Sequence, residues 1–178
     1  PTWIIAKKQT EGKGRNGNVW FSSDGNFSGS FIFYPTVERS LFHLYGFFVG
    51  VALYNTVKKI VIDGVDIRLK WPNDLMIENC KVAGILLESI QSPKSSKIGL
   101  IVGVGVNLNS YPNINVDGKK GYNSQCVANF SNHDICQISF YKKFSDELKE
   151  LGSYVEENDL GSILNFWEPR SYEKGTTI

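Results

Sequence analysis

The sequence predicts a single α+β domain, because stretches with the twofold period of strands and stretches with the helical period both occur within its 178 residues. Apolar side chains alternate with small or polar ones from Ile98 to Asn109, which is typical of a strand. From Glu38 to Ile60, apolar side chains recur at helical spacing instead. With 42% hydrophobic residues, the chain is long enough to bury a substantial core.

The strands are predicted from apolar runs that are bounded by turn-forming residues. In chain order they are 1–9, 30–34, 69–77, 80–90 and 98–109. The segments 69–77 and 80–90 are expected to form a hairpin around Glu78-Asn79, and Pro35 ends the strand before them. Polar loops are predicted at 91–97 and 110–124.

Helices are predicted between the second and third of these strands and after the last one. The segment 38–60 is apolar well beyond one stripe, so we expect it to be sandwiched in the core. Phe140 and Phe144 begin a stripe at helical spacing, and Leu160–Trp167 continues as a further helix that Pro169 ends.

The strand 98–109 has two very different faces. One face carries Ile98, Leu100, Val102, Val104, Val106 and Leu108, and the other carries Gly99, Ile101, Gly103, Gly105, Asn107 and Asn109. A face that is almost free of side chains indicates that something flat lies on it. This could be a ligand or a closely packed helix.

The bulk properties give no sign of a nucleic-acid or membrane partner. The net charge is +1, and no apolar run approaches the length of a membrane span. Cys80, Cys126 and Cys136 are odd in number and lack close spacing, so we interpret them as reduced packing thiols. No signal peptide opens the chain, and we therefore expect a cytoplasmic protein.

A basic, glycine-rich loop follows the first strand. The segment 9–20 reads QTEGKGRNGNVW, which sets Lys13 and Arg15 among three glycines and ends at Trp20. Glycine lets the backbone approach a ligand closely, the cations suit phosphate, and the indole offers a face on which a base could stack. We interpret it as a nucleotide-phosphate loop, and an ordinary basic surface loop is the alternative.

Three familiar glycine motifs do not account for this loop. A dinucleotide-binding GxGxxG opens a helix, whereas the residues at 18–26 predict an extended piece and a turn. A kinase glycine loop would be followed by His-Arg-Asp and Asp-Phe-Gly, which are absent from the sequence. A P-loop needs Gly-Lys-Ser/Thr after its last glycine, and the loop lacks it.

Downstream motifs make the loop specific. Residues 69–74 read LKWPND, residues 81–88 read KVAGILLE, and residues 103–108 read GVGVNL. Together with the loop, these strings resemble the catalytic domain of biotin protein ligases, in the order which that family shows. The resemblance runs from about Ile5 to Leu108.

The resemblance implies an activity and a fold. Biotin would be joined to AMP from ATP, and the biotinyl group would then pass to a lysine of a biotin carboxyl carrier protein, with Mg²⁺ on the phosphates. The implied fold is a mixed, largely antiparallel sheet with packed helices, like the class II aminoacyl-tRNA synthetase/biotin synthetase core. Homodimers through sheet edges are common in the family, and the strand 98–109 is the expected edge.

The resemblance also implies roles for individual residues. Arg15, which would hold the adenylate phosphate, and Lys81, which would touch the biotin carboxylate and the α-phosphate, would be catalytic. Biotin would be bound by Gln9, Lys13, Gly14, Arg15, Lys81, Gly84 and Gly103. The adenylate would be bound by Arg15, Trp20, Asn73 and Asn107, and Asp74 would be the magnesium ligand.

Several of these residues also have a structural interpretation. Lys81 could be a solvated residue at a strand edge, and Asp74 could merely fix the turn after Pro72. Asn107 could be a buried amide that satisfies backbone groups. Trp71 is expected in the core rather than in the site.

The chain departs from the family pattern in its loop and at its ends. Lys13 and Asn16 stand where the family carries arginine, which predicts weaker ATP binding or weaker retention of the adenylate. We expect a biotin- and ATP-binding catalytic domain at 1–170 whose N-terminal edge is missing. The segment 171–178 is expected to begin a truncated, small C-terminal barrel domain.

Two other functions compete with biotin ligation. One is that of a lipoate ligase or octanoyltransferase relative, and the other is a non-catalytic module that binds biotin or biotinyl-AMP. The presence of both Arg15 and Lys81 favours catalysis, because a biotin-binding module would need neither.

Overall fold

The computed structural model describes residues 2–91, 96–112, 123–173 and 175–176. Within these ranges, six strands form one sheet in the order β1-β2-β6-β5-β4-β3, and every neighbouring pair is antiparallel. The strands are β1 (Thr2–Ala6), β2 (Phe27–Phe33), β3 (Ile67–Lys70), β4 (Asp74–Ile77), β5 (Cys80–Gln91) and β6 (Ile98–Val106). The predicted α+β class is confirmed.

The helices cover one face of this sheet. They are α1 (Leu44–Lys58), α2 (Gln137–Asn158) and the single turn α3 (Leu164–Trp167). In α1 the side chains of Val49, Val51 and Leu53 are all buried although they do not share one side of the helix, because α1 lies between the sheet and the other helices. The expectation of a sandwiched helix is confirmed, although α1 itself is shorter than the predicted 38–60.

The stretch Arg39–Lys58 is long and apolar enough to cross a membrane by length and composition, with a mean hydropathy of 1.3. This differs from the expectation that no segment approaches such a length. In the structure half of the apolar window is buried inside the protein. Packing between two layers accounts for its composition, since a helix with neighbours on several sides is apolar all round.

Aromatic side chains join α2 to the sheet. The ring of Phe27 on β2 lies 5.2 Å from that of Phe140, and the ring of Trp3 on β1 lies 6.0 Å from that of Phe144, measured between centroids. The predicted stripe on α2 is therefore confirmed as core. Pro169 does not end α3, because it lies in a following 3-10 turn, Glu168–Arg170.

Two predictions about strands are wrong. The segment 69–77 forms two strands that pair with each other, because the chain reverses at Trp71–Asn73. A proline followed by asparagine favours such a turn over a continuous strand. The strand that begins at Ile98 is not a sheet edge, because β6 lies between β2 and β5.

Parts of the predicted loops and ends lie outside the described residues. These are Pro1, residues 92–95 and 113–122, Lys174 and residues 177–178. Near the end of the chain, the backbone N–H of Tyr172 donates to the carbonyl of Leu69 at 3.2 Å, so this segment lies along β3.

The face of the sheet opposite the helices is called the slot face here. It carries Gly84 and Leu86 of β5 together with Gly103 and Gly105 of β6. The contrast between the two faces of β6 was predicted from its alternation, and it positions the site described next.

Candidate active site

A cavity of about 390 Å³ lies between the loop 9–20 and the slot face. Its lining includes every predicted site residue except Asn107. These are Gln9, Lys13, Gly14, Arg15, Trp20, Asn73, Asp74, Lys81, Gly84 and Gly103. Folding thus brings together the glycine-rich loop and the three downstream motifs, which are separate in the sequence.

The glycine-rich loop is closed as a small hairpin. The Trp20 N–H donates to the Gly12 carbonyl at 2.9 Å, and the Gly14 N–H donates to the Asn18 carbonyl at 2.7 Å. At its tip, Asn16 has φ +56° and ψ +32°, the left-handed region in which asparagine is among the better tolerated residues. The hairpin ends in an extended strand-like piece, so the loop opens no long helix, in line with the sequence interpretation.

Arg15 is held toward the cavity by Asn73. Nη1 of Arg15 donates to Oδ1 of Asn73 at 3.2 Å, and Nδ2 of Asn73 donates to the carbonyl of Ile85 at 2.8 Å. The Ile85 N–H in turn donates to the Asn73 carbonyl at 2.9 Å. Asn73 is thereby fixed to β5, and its amide oxygen orients the guanidinium from the LKWPND turn.

Lys81 is paired with Asp74. Its Nζ lies 2.7 Å from Oδ1 of Asp74, and their side chains are 22% and 10% exposed. Lys81 is therefore not a solvated edge residue, and Asp74 does more than fix a turn. An ion pair at this depth orients the Lys81 side chain, because the carboxylate of Asp74 holds its Nζ in place.

A β-bulge explains how Lys81 reaches the cavity. Leu75 pairs with Ala83 but Met76 pairs with Lys81, so Val82 is an extra residue in β5. The bulge breaks the alternation: Val82 is fully buried, while Nζ of Lys81 lies on the slot face, 3.4 Å from where a Cβ on Gly84 would be. Bulges often redirect a side chain beside a functional site in this way.

The indole of Trp20 lies flat on the slot face. It covers Gly105 and touches the space above Gly84, and Nζ of Lys81 lies 5.8 Å from its ring centroid. The flat group that the glycine face of β6 predicts is therefore this indole and not a helix. The neighbouring Gly103 is more open, since a methyl group there would meet Leu86 and Ser30 at 3.7 Å.

Asn107 lies away from the cavity lining. It is 3% exposed, and its Nδ2 donates to the carbonyl of Gln125 at 3.2 Å. This matches the alternative of a buried amide that satisfies backbone groups. Its proposed contact with the adenylate stays a prediction.

Two expectations about packing are wrong. Trp71 is 70% exposed and lines the cavity, because the turn at 71–73 projects it from the sheet. Cys136 is exposed at the start of α2, whereas Cys126 is buried and Cys80 is half-buried.

The sequence interpretation gave no site role to several residues that line the cavity, among them Glu11, Ser30, Glu88 and Gly105. Alternation along β5 from Gly84 would have indicated Glu88, and alternation along β6 from Gly103 would have indicated Gly105. Ser30 needed the cross-strand register, in which it pairs with Gly103.

A magnesium ion would find few acidic ligands close together among the described residues. No group of three or more His, Cys, Asp and Glu residues lies together among them. Asp74, the predicted ligand, has an oxygen committed to the Lys81 ammonium, whose charge opposes a nearby divalent cation. Its assignment as a ligand stays a prediction.

Comparison with known proteins agrees with this geometry. Residues 1–107 match the Biotin/lipoate A/B protein ligase family. The chain is 27% identical over 176 residues to a biotin–[acetyl-CoA-carboxylase] ligase of Paracoccus denitrificans, covering 99% of this chain and 73% of that protein. It is 34% identical over 113 residues to the bifunctional ligase/repressor BirA of Bacillus subtilis (strain 168), covering 63% of this chain and 34% of that protein.

Among solved structures, the chain is similar to the biotin protein ligase from Aquifex aeolicus in complex with biotin and ATP. The TM-score is 0.75 at 25% identity, and the match covers 95% of this chain and 68% of the other. The similarity therefore extends over nearly the whole of this chain.

Proposed function

This chain belongs to the Biotin/lipoate A/B protein ligase family, and from that premise we propose that it is a biotin ligase. It activates biotin with ATP to biotinyl-5'-AMP and passes the biotinyl group to a protein lysine. The observation that carries the proposal is the convergence of Arg15, Lys81 and Trp20 on one cavity. Two oriented cations and a flat aromatic face are what a carboxylate, a phosphate and a purine require.

The first half-reaction brings two anions together. A biotin carboxylate oxygen attacks the α-phosphorus of ATP, the bond from that phosphorus to the bridging oxygen breaks, and pyrophosphate leaves with the electron pair. Lys81 and Arg15 stabilise the charge that develops on the α-phosphoryl oxygens. Because both cations are oriented beforehand, by Asp74 and Asn73, they need little reorganisation during the reaction.

The second half-reaction transfers the acyl group. The amine of an acceptor lysine attacks the carbonyl carbon of the mixed anhydride, and AMP leaves as the acyl–phosphate bond breaks. Until then, Arg15 and the closed hairpin of the loop keep water from the anhydride.

Magnesium enters this proposal with ATP and not as a resident ion. Mg²⁺ in nucleotide sites is bound mainly through the substrate phosphates, with few protein ligands. The pairing of Asp74 with Lys81 supports this role for the metal as part of the substrate.

The test is biotin-dependent exchange of labelled pyrophosphate into ATP with Mg²⁺, run in parallel with lipoate. We expect exchange with biotin, little with lipoate, and a loss of about a hundredfold or more in Lys81→Ala, the range found for removing one transition-state donor. Lys143→Ala is the matched control, because Lys143 is exposed on α2 and does not line the cavity.

The outcomes separate the competing functions. Exchange with lipoate in place of biotin would replace the substrate in this proposal. Biotin binding by calorimetry without any exchange would make the protein a binding module. An unchanged rate in Lys81→Ala would remove Lys81 from the catalytic step.

We also propose a partner and a location. The acceptor is a biotin carboxyl carrier protein, and a cytoplasmic location is supported by the free thiols of Cys80, Cys126 and Cys136.

A homodimer would form through β1, an outer strand of the sheet on which Ile4 is 72% exposed. Light scattering of the protein and of Ile4→Lys tests the dimer, which the lysine should dissociate.

A further inference from the structure

We propose that Gly105 is a positioning residue for the nucleotide, because it provides the seat on which the Trp20 indole lies. This inference rests on the proposed function. Gly105 of β6 stands directly opposite Gly84 of β5 in the strand register, and both belong to the slot face. The two glycines form a bare cross-strand pair, which we call the glycine seat.

The fit between Gly105 and Trp20 leaves no room for a side chain. A Cβ on Gly105 would lie 2.6 Å from both Cζ2 and Nε1 of Trp20, and closer still to Cε2. Real Cβ atoms do not make such contacts with ring atoms, so even alanine would force the indole away from the sheet. A Cβ on Gly84 would lie 3.5 Å from Cζ3 of Trp20, which is an ordinary van der Waals distance. Gly105 is therefore the tight point of the seat.

The backbone of Trp20 is held independently of its ring. Its N–H donates to the Gly12 carbonyl at 2.9 Å, and a Cβ on Gly12 would overlap the Trp20 carbonyl group. The indole therefore cannot retreat from a methyl group on Gly105 by a small shift of the loop alone. A side-chain rotation or an opening of the hairpin would be needed.

The seat determines which surface of the indole a base can use. One face of the ring lies on the sheet, so a base can stack on the other face only. Nζ of Lys81 is 5.8 Å from the same ring centroid, within reach of a cation–π contact. The height of the indole above Gly105 thus determines the position of a stacked base relative to Lys81.

The seat itself is tested by fluorescence. The difference between the emission of the parent protein and that of Trp20→Phe isolates the signal of Trp20. We expect Gly105→Ala to move this emission to longer wavelength and to raise its quenching by acrylamide. Gly103→Ala is the matched control on the same strand and face, since the nearest atoms to its methyl group would belong to Leu86 and Ser30, at 3.7 Å. It should leave the Trp20 emission unchanged.

The consequence for the nucleotide is tested by exchange kinetics. We expect Gly105→Ala to raise the KM for ATP about tenfold, which corresponds to the loss of one base-stacking contact. The KM for biotin should change much less. In the Trp20→Ala background the same methyl group should add less than about twofold, because the ring it displaces is gone.

The double variant also covers a failure to fold. If Gly105→Ala is unfolded by circular dichroism, then Trp20→Ala/Gly105→Ala should fold, and an unfolded double variant overturns the seat. An unmoved Trp20 emission in Gly105→Ala, or an equal cost of the methyl group without the indole, also overturns it. Absence of exchange in the parent protein would refute the proposed function and the nucleotide role, while the fluorescence still decides the seat.

Discussion

The two faces of β6 carry very different side chains, because successive residues of a strand point to opposite sides of the sheet. Leu100, Val102, Val104 and Val106 point toward the helices and are at most 3% exposed. Gly103 and Gly105 point the other way and leave a surface on which Trp20 lies. Alternation lets one strand complete the hydrophobic core and form the floor of the site, so that the two tasks meet in one segment of chain.

This difference separates the residues that stabilise the fold from the residues that form the binding site. On the helix face, each fully buried valine or leucine contributes roughly 1.5–3 kcal/mol through its removal from water. On the slot face, the buried Asp74 and the half-buried Lys81 need each other to offset the cost of desolvation. Substitutions on the two faces should therefore be read out by different measurements.

The largest expected effect is on the helix face. Leu100→Ala should lower the free energy of unfolding by about 3 kcal/mol, because it leaves a cavity in the core. The KM values for ATP and biotin should hardly change. Urea denaturation measures the free energy of unfolding, and exchange kinetics measure the KM values. Ile101→Ala is the matched control, because Ile101 is the next residue, is less buried and faces the other side of the sheet. An equal loss in Ile101→Ala would contradict the division between the faces.

On the slot face, adding a side chain should weaken binding without lowering the free energy of unfolding. Gly103→Val places a side chain on the cavity floor, so we expect biotin to bind about tenfold more weakly or worse. The free energy of unfolding should not fall, since valine suits a strand better than glycine does. Calorimetric titration with biotin and denaturation together decide this, and unaltered biotin affinity would exclude Gly103 from the biotin slot.

A smaller effect is expected above the slot face, at the tip of the loop. Asn16→Arg adds the charge that the sequence resemblance predicts at this position, and should slow the release of the adenylate by about threefold through one exposed charge interaction. The left-handed backbone at Asn16 disfavours arginine, which limits the gain. Asn16→Gly tolerates the same backbone without the charge and serves as control. A release rate in Asn16→Arg equal to that of the parent would show that the missing arginine does not matter.

The smallest expected effect is on the helix side, at Cys136. The backbone N–H groups of Ser139 and then Ile138 lower the pKa of its exposed thiol by stabilising the thiolate. Alkylation of Cys136 should therefore reach half its maximal rate at a lower pH than alkylation of an unstructured cysteine peptide does. Mass spectrometry at several pH values, with Cys136→Ser as the unlabelled control, follows the reaction.

Because Cys136 does not line the cavity, alkylation should change pyrophosphate exchange by less than about twofold, as for a surface change. Exchange that falls in proportion to the label would mean that the helix side controls the slot, and would break the comparison between the faces.

Local patterns were enough to predict much of the fold and of the site. The period of two in 98–109, the helical stripe from Phe140 and the loop 9–20 each report a property that depends on neighbours in the chain. The loop and the downstream motifs also indicated every predicted site residue except Asn107 as part of one cavity, although only through resemblance to a family.

Where the prediction failed, a local turn or a pairing between distant strands was responsible. Whether 69–77 was one strand or two depended on a turn at Pro72 competing with a long apolar run. The position of β6 in the middle of the sheet depended on its pairing with β2, about 70 residues earlier in the chain. Trp71 is a large apolar residue of the kind expected in a core, and the turn at 71–73 exposes its side chain to solvent.

Thus the chain's own order of residues specified which strand would be bare on one face and which loop would carry the cations. Folding specified what those features do. The bulge at Val82 turns Lys81 into the cavity, the LKWPND turn brings Asn73 to Arg15, and the pairing of β5 with β6 places two glycines side by side beneath Trp20. Periodicity is a local property of a sequence, whereas register and bulges arise only when strands that are far apart in the chain meet.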